Sequence, residues 1–207
     1  MNEASTNRHL AIILFDQFEV LDVFGPAELF GLIPDVRIDY VGPNLEPVKA
    51  NPGASVVPTA AYVDITDPDI ILVPGGKGTR TLVGDKQFLR WLEQTGNKAQ
   101  LVCSVCTGSA VLAAAGLLEG YRATSNKYSF SWASTFGKNV VWEAKSRWVS
   151  DRNRWTSSGV AAGMDMAAAL IRDLFGEESH TSAIKRIEYE PQMNSSEDSF
   201  APDHDRI

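Results

Sequence analysis

Cysteine and histidine are scarce in this sequence, which contains two cysteines and three histidines among 207 residues. Two cysteines exclude the disulfide framework of a small secreted protein. A structural zinc site needs four ligands, and the histidines are spread from His9 through His180 to His204, so no ligand cluster can be written around the cysteines. We therefore expect no metal site and no other cofactor.

Long hydrophobic runs and an excess of positive charge are also missing. No apolar run approaches the roughly 20 residues that cross a bilayer, and the run over residues 10–15 is too short for the core of a signal peptide. Nineteen basic residues against 26 acidic ones give a net charge of −7, which disfavours nucleic acid and anionic membranes as partners. These absences predict a cytoplasmic protein that binds neither nucleic acid nor a membrane.

Short apolar runs alternate with stretches of helical pattern, which is typical of an α/β protein. Hydrophobic residues make up 44% of the chain, an ordinary share for a globular protein. We predict strands at residues 10–15, 36–41, 69–74, 101–105, 140–149 and 155–156, with short β pieces near Val48 and Val56. We predict helices at residues 21–33, with Pro26 in the first turn, and at 85–94, 107–115, 127–136, 159–175 and 177–187.

Strands separated by helices predict a mostly parallel sheet that is covered by helices on both faces. We assign residues 10–190 to one α/β domain, between a polar segment over residues 1–9 and a polar, mobile tail over residues 191–207. Ligands of such sheets bind beyond the carboxyl ends of the strands. The functional residues are therefore expected directly after the predicted strands.

The segment around Cys106 carries the strongest functional signal. An apolar strand runs into a helix with almost no connection, and Ser104 and Gly108 flank Cys106 at two residues on either side. This spacing is that of a nucleophile elbow, in which small neighbours permit a strained turn that presents the nucleophile. A helix beginning after Cys106 would lower the pKa of its thiol. We predict that Cys106 is reactive and that Cys103, inside the apolar run, is buried and inert.

Cys103 and Cys106 also spell the C-x-x-C pattern of dithiol and zinc sites. On an extended strand, three residues span roughly 10 Å, whereas a disulfide requires Cα atoms about 4.4–6.8 Å apart. The strand prediction therefore disfavours a redox dithiol.

Three segments at strand ends together resemble the DJ-1/PfpI superfamily. They are residues 21–26 (Leu-Asp-Val-Phe-Gly-Pro), 73–78 (Val-Pro-Gly-Gly-Lys-Gly) and 105–109 (Val-Cys-Thr-Gly-Ser). The resemblance spans about residues 10 to 190 and is greatest to the isonitrile hydratase branch. It implies a flavodoxin-like sandwich, a homodimer and a small-molecule substrate. Some related sequences carry a DNA-binding region, but the stretch after the last predicted helix is too short for a helix-turn-helix module.

The resemblance also implies roles for individual residues. The nucleophile is Cys106, its acidic partner is Asp22, and Thr107 assists it. Glu19 is the rival acid, but Asp22 is in register with the Gly-Pro pair. The turn at Gly75 and Gly76 would face the elbow, and its backbone N–H groups would complete an oxyanion-type site.

Asn126 stands where many members of this family have a histidine. No Cys–His pair can be written there, which weakens protease and glyoxalase interpretations, whereas an asparagine could still orient a polar substrate. His180 is expected at the surface. The four tryptophans after residue 130 are expected in the core or at a dimer contact.

The resemblance thus implies a cofactor-independent hydratase that converts an isocyanide and water into an N-substituted formamide. Two alternatives stay open: a glyoxalase-like hydratase of α-oxoaldehydes, and a non-catalytic dimer whose Cys106 senses oxidants.

Overall fold

The computed structural model describes residues 8–201, so most of the predicted N-terminal segment and residues 202–207 lie outside the described residues. The strands within this range are β1 (Arg8–Ile13), β2 (Phe18–Glu19), β3 (Val36–Gly42), β4 (Val48–Asn51), β5 (Ser55–Val56), β6 (Ala60–Ala61), β7 (Ile70–Val73), β8 (Leu101–Ser104), β9 (Arg122–Ala123), β10 (Val141–Trp142), β11 (Trp148–Asp151) and β12 (Arg154–Ser157). The helices are α1 (Val20–Gly31), α2 (Thr79–Leu82), α3 (Lys86–Gly96), α4 (Gly108–Ala114), α5 (Phe130–Ala133) and α6 (Ala162–Arg186), with a 3₁₀ helix at Tyr62–Asp64.

Seven strands form the central sheet in the order β11-β12-β8-β7-β1-β3-β6. Neighbouring strands are parallel except for the antiparallel pair β11 and β12. From β1 the chain first builds the sheet toward β3 and later toward β7 and β8, so the winding direction reverses between β1 and β7. Such a reversal opens a crevice at the carboxyl ends of the strands.

The middle of the sheet is buried on both faces. Leu10–Ile13 of β1 and Ile70–Val73 of β7 are all almost inaccessible to solvent, and successive side chains of a strand point to opposite faces. Helix α1 packs against α6, and α4 packs against α2 and α3. The predicted α/β fold with a mostly parallel, helix-covered sheet is thereby confirmed.

Helix α1 differs from its predicted form, whereas α6 agrees with it. Pro26 lies in the middle of α1, because the helix begins at Val20 directly after β2. Its ring removes one helical hydrogen bond. Helix α6 contains a break at Gly176, whose φ of +84° is a conformation that favours glycine. The break agrees with the two helices predicted over residues 159–187.

The predicted mobile tail is wrong for residues 191–201, which are bound to the body of the protein. The Arg147 guanidinium forms an ion pair with Asp165 at 2.6 Å and another with Asp198 at 3.5 Å. The Asp198 N–H also donates to the carbonyl of Lys145 at 2.9 Å. Asp198 is thus buried on a mostly buried arginine, while most other polar residues of this segment face water.

Candidate active site

The predicted site residues come together at the carboxyl edge of three neighbouring strands. Asp22 lies in the first turn of α1, shortly after β1 and β2. Gly75 and Gly76 follow β7, and Cys106 follows β8. These strands flank the reversal of the sheet, so the fold collects residues that are up to 84 positions apart in the sequence (from Asp22 to Cys106).

Cys106 occupies the strained turn that the sequence predicts. Its φ is +59°, a left-handed conformation that a non-glycine residue rarely adopts. The turn is held because the Cys106 carbonyl accepts hydrogen bonds from the hydroxyls of Ser109 at 3.1 Å and Ser125 at 3.0 Å. A Cβ at Gly108 would lie 2.1 Å from the carbonyl oxygen of Val73, so only glycine allows α4 to begin this close to β7.

Asp22 is completely buried beside Cys106. Its Oδ2 accepts a hydrogen bond from the Gly75 N–H at 2.8 Å. Its Oδ1 is buried, and no atom of residues 8–201 lies in hydrogen-bonding geometry to it. The thiol of Cys106 is nevertheless near enough to affect the pKa of the carboxyl. The carboxyl is therefore held by one oxygen, and the other oxygen remains available for proton exchange.

Burial raises the pKa of both groups, whereas the hydrogen-bonding influence of Cys106 on Asp22 lowers the pKa of the carboxyl. Burial raises the pKa of Asp22 from 3.8 to about 8, with the charge of Glu19 adding to the rise. Burial and the Asp22 charge hold the pKa of the Cys106 thiol well above its usual value. The prediction that the helix lowers this pKa is therefore wrong in direction: α4 has only seven residues, and burial outweighs it. With its pKa raised to about 8, the Asp22 carboxyl carries a proton near neutral pH.

Thr107 lowers the pKa of the Cys106 thiol and so opposes the effect of burial. Its backbone N–H and its side-chain hydroxyl both hydrogen-bond to Cys106 and lower the pKa of the thiol. The Thr107 oxygen in turn accepts a hydrogen bond from the Gly76 N–H at 3.2 Å and lies 3.1 Å from the hydroxyl oxygen of Thr79. The Thr79 hydroxyl also donates to the Gly76 carbonyl at 2.7 Å. Thr107 is thus positioned to stabilise a thiolate.

Gly75 and Gly76 differ from the predicted oxyanion donors, because both N–H groups already have acceptors. The Gly75 N–H binds Asp22 and the Gly76 N–H binds Thr107. Both residues must be glycine for steric reasons: a Cβ at Gly75 would lie 2.7 Å from the Cβ of Cys106, and Gly76 has a φ of +122° with the Gln17 carbonyl close by. The turn therefore positions the acid and the threonine, and its role in binding the substrate's oxygen stays a prediction.

A cleft of about 320 Å³ opens above the sulfur. Asn126 lines it, as the sequence predicts for a substrate-binding residue, although its role in binding stays a prediction. Asp22 does not line it, whereas the rival acid Glu19 does and accepts a hydrogen bond from Asn51 at 3.0 Å. The full lining is Glu19, Asn51, Gly76, Lys77, Arg80, Cys106, Thr107, Asn126, Tyr128, Ser129 and Val160.

Sequence reasoning missed several of these lining residues, and Arg80 is the clearest example. Its guanidinium carbon lies 3.3 Å from the centroid of the Trp132 ring, and its Nη2 donates to the Ser129 hydroxyl at 3.1 Å. Desolvation lowers its pKa, while the nearby charge of Cys106 raises it. The only available signal was the position of Arg80 four residues after the Gly75–Gly76 turn.

The other candidate groups lie away from the cleft. Cys103 is fully buried in β8, and burial raises the pKa of its thiol to about 12. Both cysteines are free thiols. The expectation that His180 is at the surface is wrong: it is buried in α6, and its Nδ1 lies 2.9 Å from the Ala168 carbonyl oxygen. Within residues 8–201, no group of three or more histidine, cysteine or acidic side chains could hold a metal ion.

We predict that iodoacetamide alkylates Cys106 and leaves Cys103 unmodified in the folded protein. Cys106 reaches the cleft with 7% of its surface exposed, whereas Cys103 has none. Because the pKa of the Cys106 thiol is raised, its alkylation rate should increase with pH throughout the neutral and mildly alkaline range. Peptide mapping after limited labelling measures both sites. Equal or preferential labelling of Cys103 would contradict the prediction.

The arrangement defines a class of protein: a flavodoxin-like α/β protein that presents a cysteine at a strand-to-helix turn beside a buried carboxyl. The sequence gives the particular family. It matches the DJ-1/PfpI family over residues 8–173, and the chain belongs to that family.

The chain is also similar to individual members of this family. The chain is 37% identical to isonitrile hydratase from Pseudomonas putida over 182 residues, which cover 88% of this chain and 78% of the relative. It is 28% identical over 158 residues to the glutathione-independent glyoxalase DJR-1.2 from Caenorhabditis elegans, covering 73% of this chain and 81% of the relative. A THiJ/PfpI family protein from Pseudomonas syringae superposes with a TM-score of 0.82 at 33% identity, covering 93% of this chain and 80% of that structure.

Proposed function

We propose that this protein is a hydratase of isocyanides, which adds water to R–N≡C and releases an N-substituted formamide without a cofactor. The observation that supports this most directly is the pair formed by Cys106, which lines the cleft, and Asp22, which is buried behind it. Within residues 8–201, the lining of this cleft contains no histidine. A protonated carboxyl beside a thiol supplies a nucleophile and an acid without an imidazole. The similarity to the isonitrile hydratase of Pseudomonas putida agrees with this chemistry.

The first step is addition of the Cys106 thiol to the terminal carbon of the isocyanide. The sulfur electron pair forms the C–S bond, and the same carbon then takes a proton from the Asp22 carboxyl. The thiol proton is released to water as the thiolate forms. The product is a thioimidate, R–N=CH–S–Cys106, and Asp22 becomes a carboxylate. The two hydrogen bonds from Thr107 stabilise the thiolate from which the attack proceeds.

In the second step, water attacks the thioimidate carbon while the Asp22 carboxylate takes a proton from it and passes that proton to the nitrogen. The tetrahedral intermediate, R–NH–CH(OH)–S–Cys106, then expels the sulfur as a thiolate, and the hydroxyl proton returns to Asp22. The sum of both steps is R–N≡C plus water giving R–NH–CHO. The thiolate then takes back from water the proton that it released in the first step, so the thiol and the protonated Asp22 carboxyl are both restored.

A glyoxalase-like hydratase of α-oxoaldehydes is the second candidate, and the similarity to the Caenorhabditis elegans glyoxalase favours it. Our reason for ranking it lower is Asn126, which lines the cleft where many family members have a histidine. An amide can orient a substrate by hydrogen bonds but cannot exchange protons near neutral pH.

A substrate panel tests the proposal. Purified protein is incubated with cyclohexyl isocyanide or methylglyoxal, and NMR detects the formamide or lactate. Catalytic formamide production without lactate is the expected result. Lactate alone would replace the proposal with the glyoxalase-like reaction. Neither product, together with stoichiometric oxidation of Cys106 by peroxide, would replace it with an oxidant sensor.

We further predict a homodimer of this chain, as the family resemblance implies. A dimer would have twice the 22.6 kDa mass of one chain, and light scattering at micromolar concentration measures it. Trp132 and Trp142 remain partly exposed and are available for such a contact. A mass near that of one chain would contradict the prediction.

The cytoplasmic location and the absence of nucleic-acid partners stay predictions. Among residues 8–201, no helix has both the length and the apolar character that a membrane crossing requires.

A further inference from the structure

The cleft around Cys106 contains more positive than negative charge, although the whole chain has a net charge of −7. Lys77 and Arg80 line it, and Glu19 is the one acidic residue among the lining side chains that the structure describes. Asp22, which is buried behind the lining, carries a proton near neutral pH because its pKa is raised to about 8. The sign of the local charge is therefore opposite to that of the molecule.

Neither basic residue forms an ion pair within the part of the chain that the structure describes. The ion pairs found there involve His9, Arg37, Arg122, Arg147 and Arg152. Cations that line a cleft without carboxylate partners raise the local concentration of anions. This charge is available to a ligand.

Two contacts orient the side chain of Arg80, which is exposed at the cleft. The Trp132 ring covers one face of its guanidinium at 3.3 Å, and Ser129 accepts a hydrogen bond from Nη2. A guanidinium has five N–H donors, so most of them remain free after this one bond. Stacking on an aromatic ring leaves the edge of the planar group open, and this edge fits a carboxylate through two parallel hydrogen bonds.

We propose that the substrate carries a carboxylate near its reacting carbon and that Arg80, assisted by Lys77, binds this carboxylate. The inference rests on the proposed function, since it names the substrate class of the same site. The cleft volume of about 320 Å³ restricts the substrate to a small molecule. The resulting class is the small isocyanocarboxylates, in which the isocyanide reaches Cys106 while the carboxylate binds the guanidinium.

Isocyanoacetate and isocyanoacetamide test this inference, because they have nearly the same shape and differ in charge. We expect kcat/KM to be roughly 10- to 100-fold higher for isocyanoacetate, the range that a charge-assisted hydrogen bond supplies. In Arg80→Gln this ratio should fall toward one, and in Arg80→Lys it should lie between the two values, because lysine keeps the charge but loses the fork. Arg90→Gln removes the same charge from an exposed position on α3 and should keep the wild-type ratio.

A ratio near one in the wild type would overturn the inference, as would an Arg80→Gln variant that keeps the wild-type ratio. The ratio separates recognition of the carboxylate from any general effect of Arg80 on the thiol, because such an effect lowers both rates equally.

Alkylation of Cys106 provides a second arm that does not depend on isocyanide chemistry. Iodoacetate is anionic and iodoacetamide is neutral, and mass spectrometry gives the rate for each. We expect the iodoacetate-to-iodoacetamide rate ratio to be roughly 10-fold higher in the wild type than in Arg80→Gln. If no isocyanide is hydrated but this difference appears, the proposed function fails and anion binding stands. If isocyanides are hydrated but the iodoacetate-to-iodoacetamide rate ratio is the same in the wild type and in Arg80→Gln, only the inference fails.

Discussion

Cys106→Ala should lose the hydration of isocyanides almost completely, with a decrease of at least roughly 10⁴-fold in kcat. The loss follows because the sulfur forms the covalent bond in the proposed mechanism, and no other nucleophilic thiol reaches the cleft: Cys103 is fully buried in β8. Alanine keeps the Cβ and therefore the same backbone strain at a φ of +59°, so the variant should fold. Formamide production followed by NMR measures the effect.

Cys103→Ala is the matched control for this variant. Removing a buried sulfur from the core leaves a cavity and lowers the melting temperature, while the cleft and its thiol remain. We thus expect opposite patterns: lost activity with a near-normal melt in Cys106→Ala, and retained activity with a lower melt in Cys103→Ala. Residual activity above about a tenth of the wild-type value in Cys106→Ala would exclude a covalent thioimidate, since a covalent nucleophile contributes far more than tenfold.

Asp22→Asn should lower turnover by roughly 10²- to 10⁴-fold, the usual contribution of a general acid or base. Asparagine can still accept the hydrogen bond from the Gly75 N–H that holds the carboxyl at 2.8 Å, so the turn geometry should persist. It cannot donate a proton to the isocyanide carbon or take one from water. Asp22→Glu should keep part of the activity if the site accommodates one more methylene group.

Asp22→Asn should also gain stability relative to the wild type as the pH rises. The Asp22 carboxyl has a pKa of 3.8 when unperturbed and about 8 in the folded protein. Between these values the unfolded chain is ionised and the folded protein still holds the proton, so wild-type stability falls by up to about 1.4 kcal/mol per pH unit. The amide that replaces the carboxyl does not ionise. The free-energy difference in favour of the variant should therefore grow as the pH rises from 3.8 to about 8 and then level off. Denaturant unfolding of both proteins across this range measures it.

Glu19→Gln separates the two acids of the site. Glu19 lines the cleft, and the Gly75 N–H donates to the carboxyl of Asp22 and not to that of Glu19. The charge of Glu19 raises the pKa of both Asp22 and Cys106. If Asp22 is the acid that exchanges the proton, Glu19→Gln should retain far more activity than Asp22→Asn. Full activity in Asp22→Asn would refute the role given to Asp22, and Glu19 would replace it as the proton donor.

Much of the fold could be predicted from the sequence because its patterns are local. The apolar runs of β1, β7 and β8 identify strands buried on both faces, and the break at Gly176 agrees with two separate predicted helices. The elbow is also local: Cys106 follows its strand directly, and Gly108 is required within two residues of it.

The failed predictions of the tail and of the Cys106 pKa share one physical cause, since each depended on surroundings that distant segments supply. The polarity of residues 191–207 suggested a mobile tail, but Asp198 forms an ion pair with the guanidinium of Arg147. The pKa of Cys106 depends on burial and on Asp22 more than on the short helix that follows it. His180 is a different case, because its partner, the carbonyl of Ala168, lies in the same helix α6 on the other side of the break at Gly176.

The sequence by itself determined the strand-to-helix turn and the position of its cysteine, because these features follow from neighbouring residues. The choice of Asp22 as the acid came from the family resemblance. The tertiary structure alone decided which groups the turn at Gly75 and Gly76 binds. It assigned the N–H groups of Gly75 and Gly76 to Asp22 and Thr107, and it brought Arg80 to the cleft. Hydrogen-bond partners, burial and charge come from segments far apart in the chain, and only folding brings them within interaction distance.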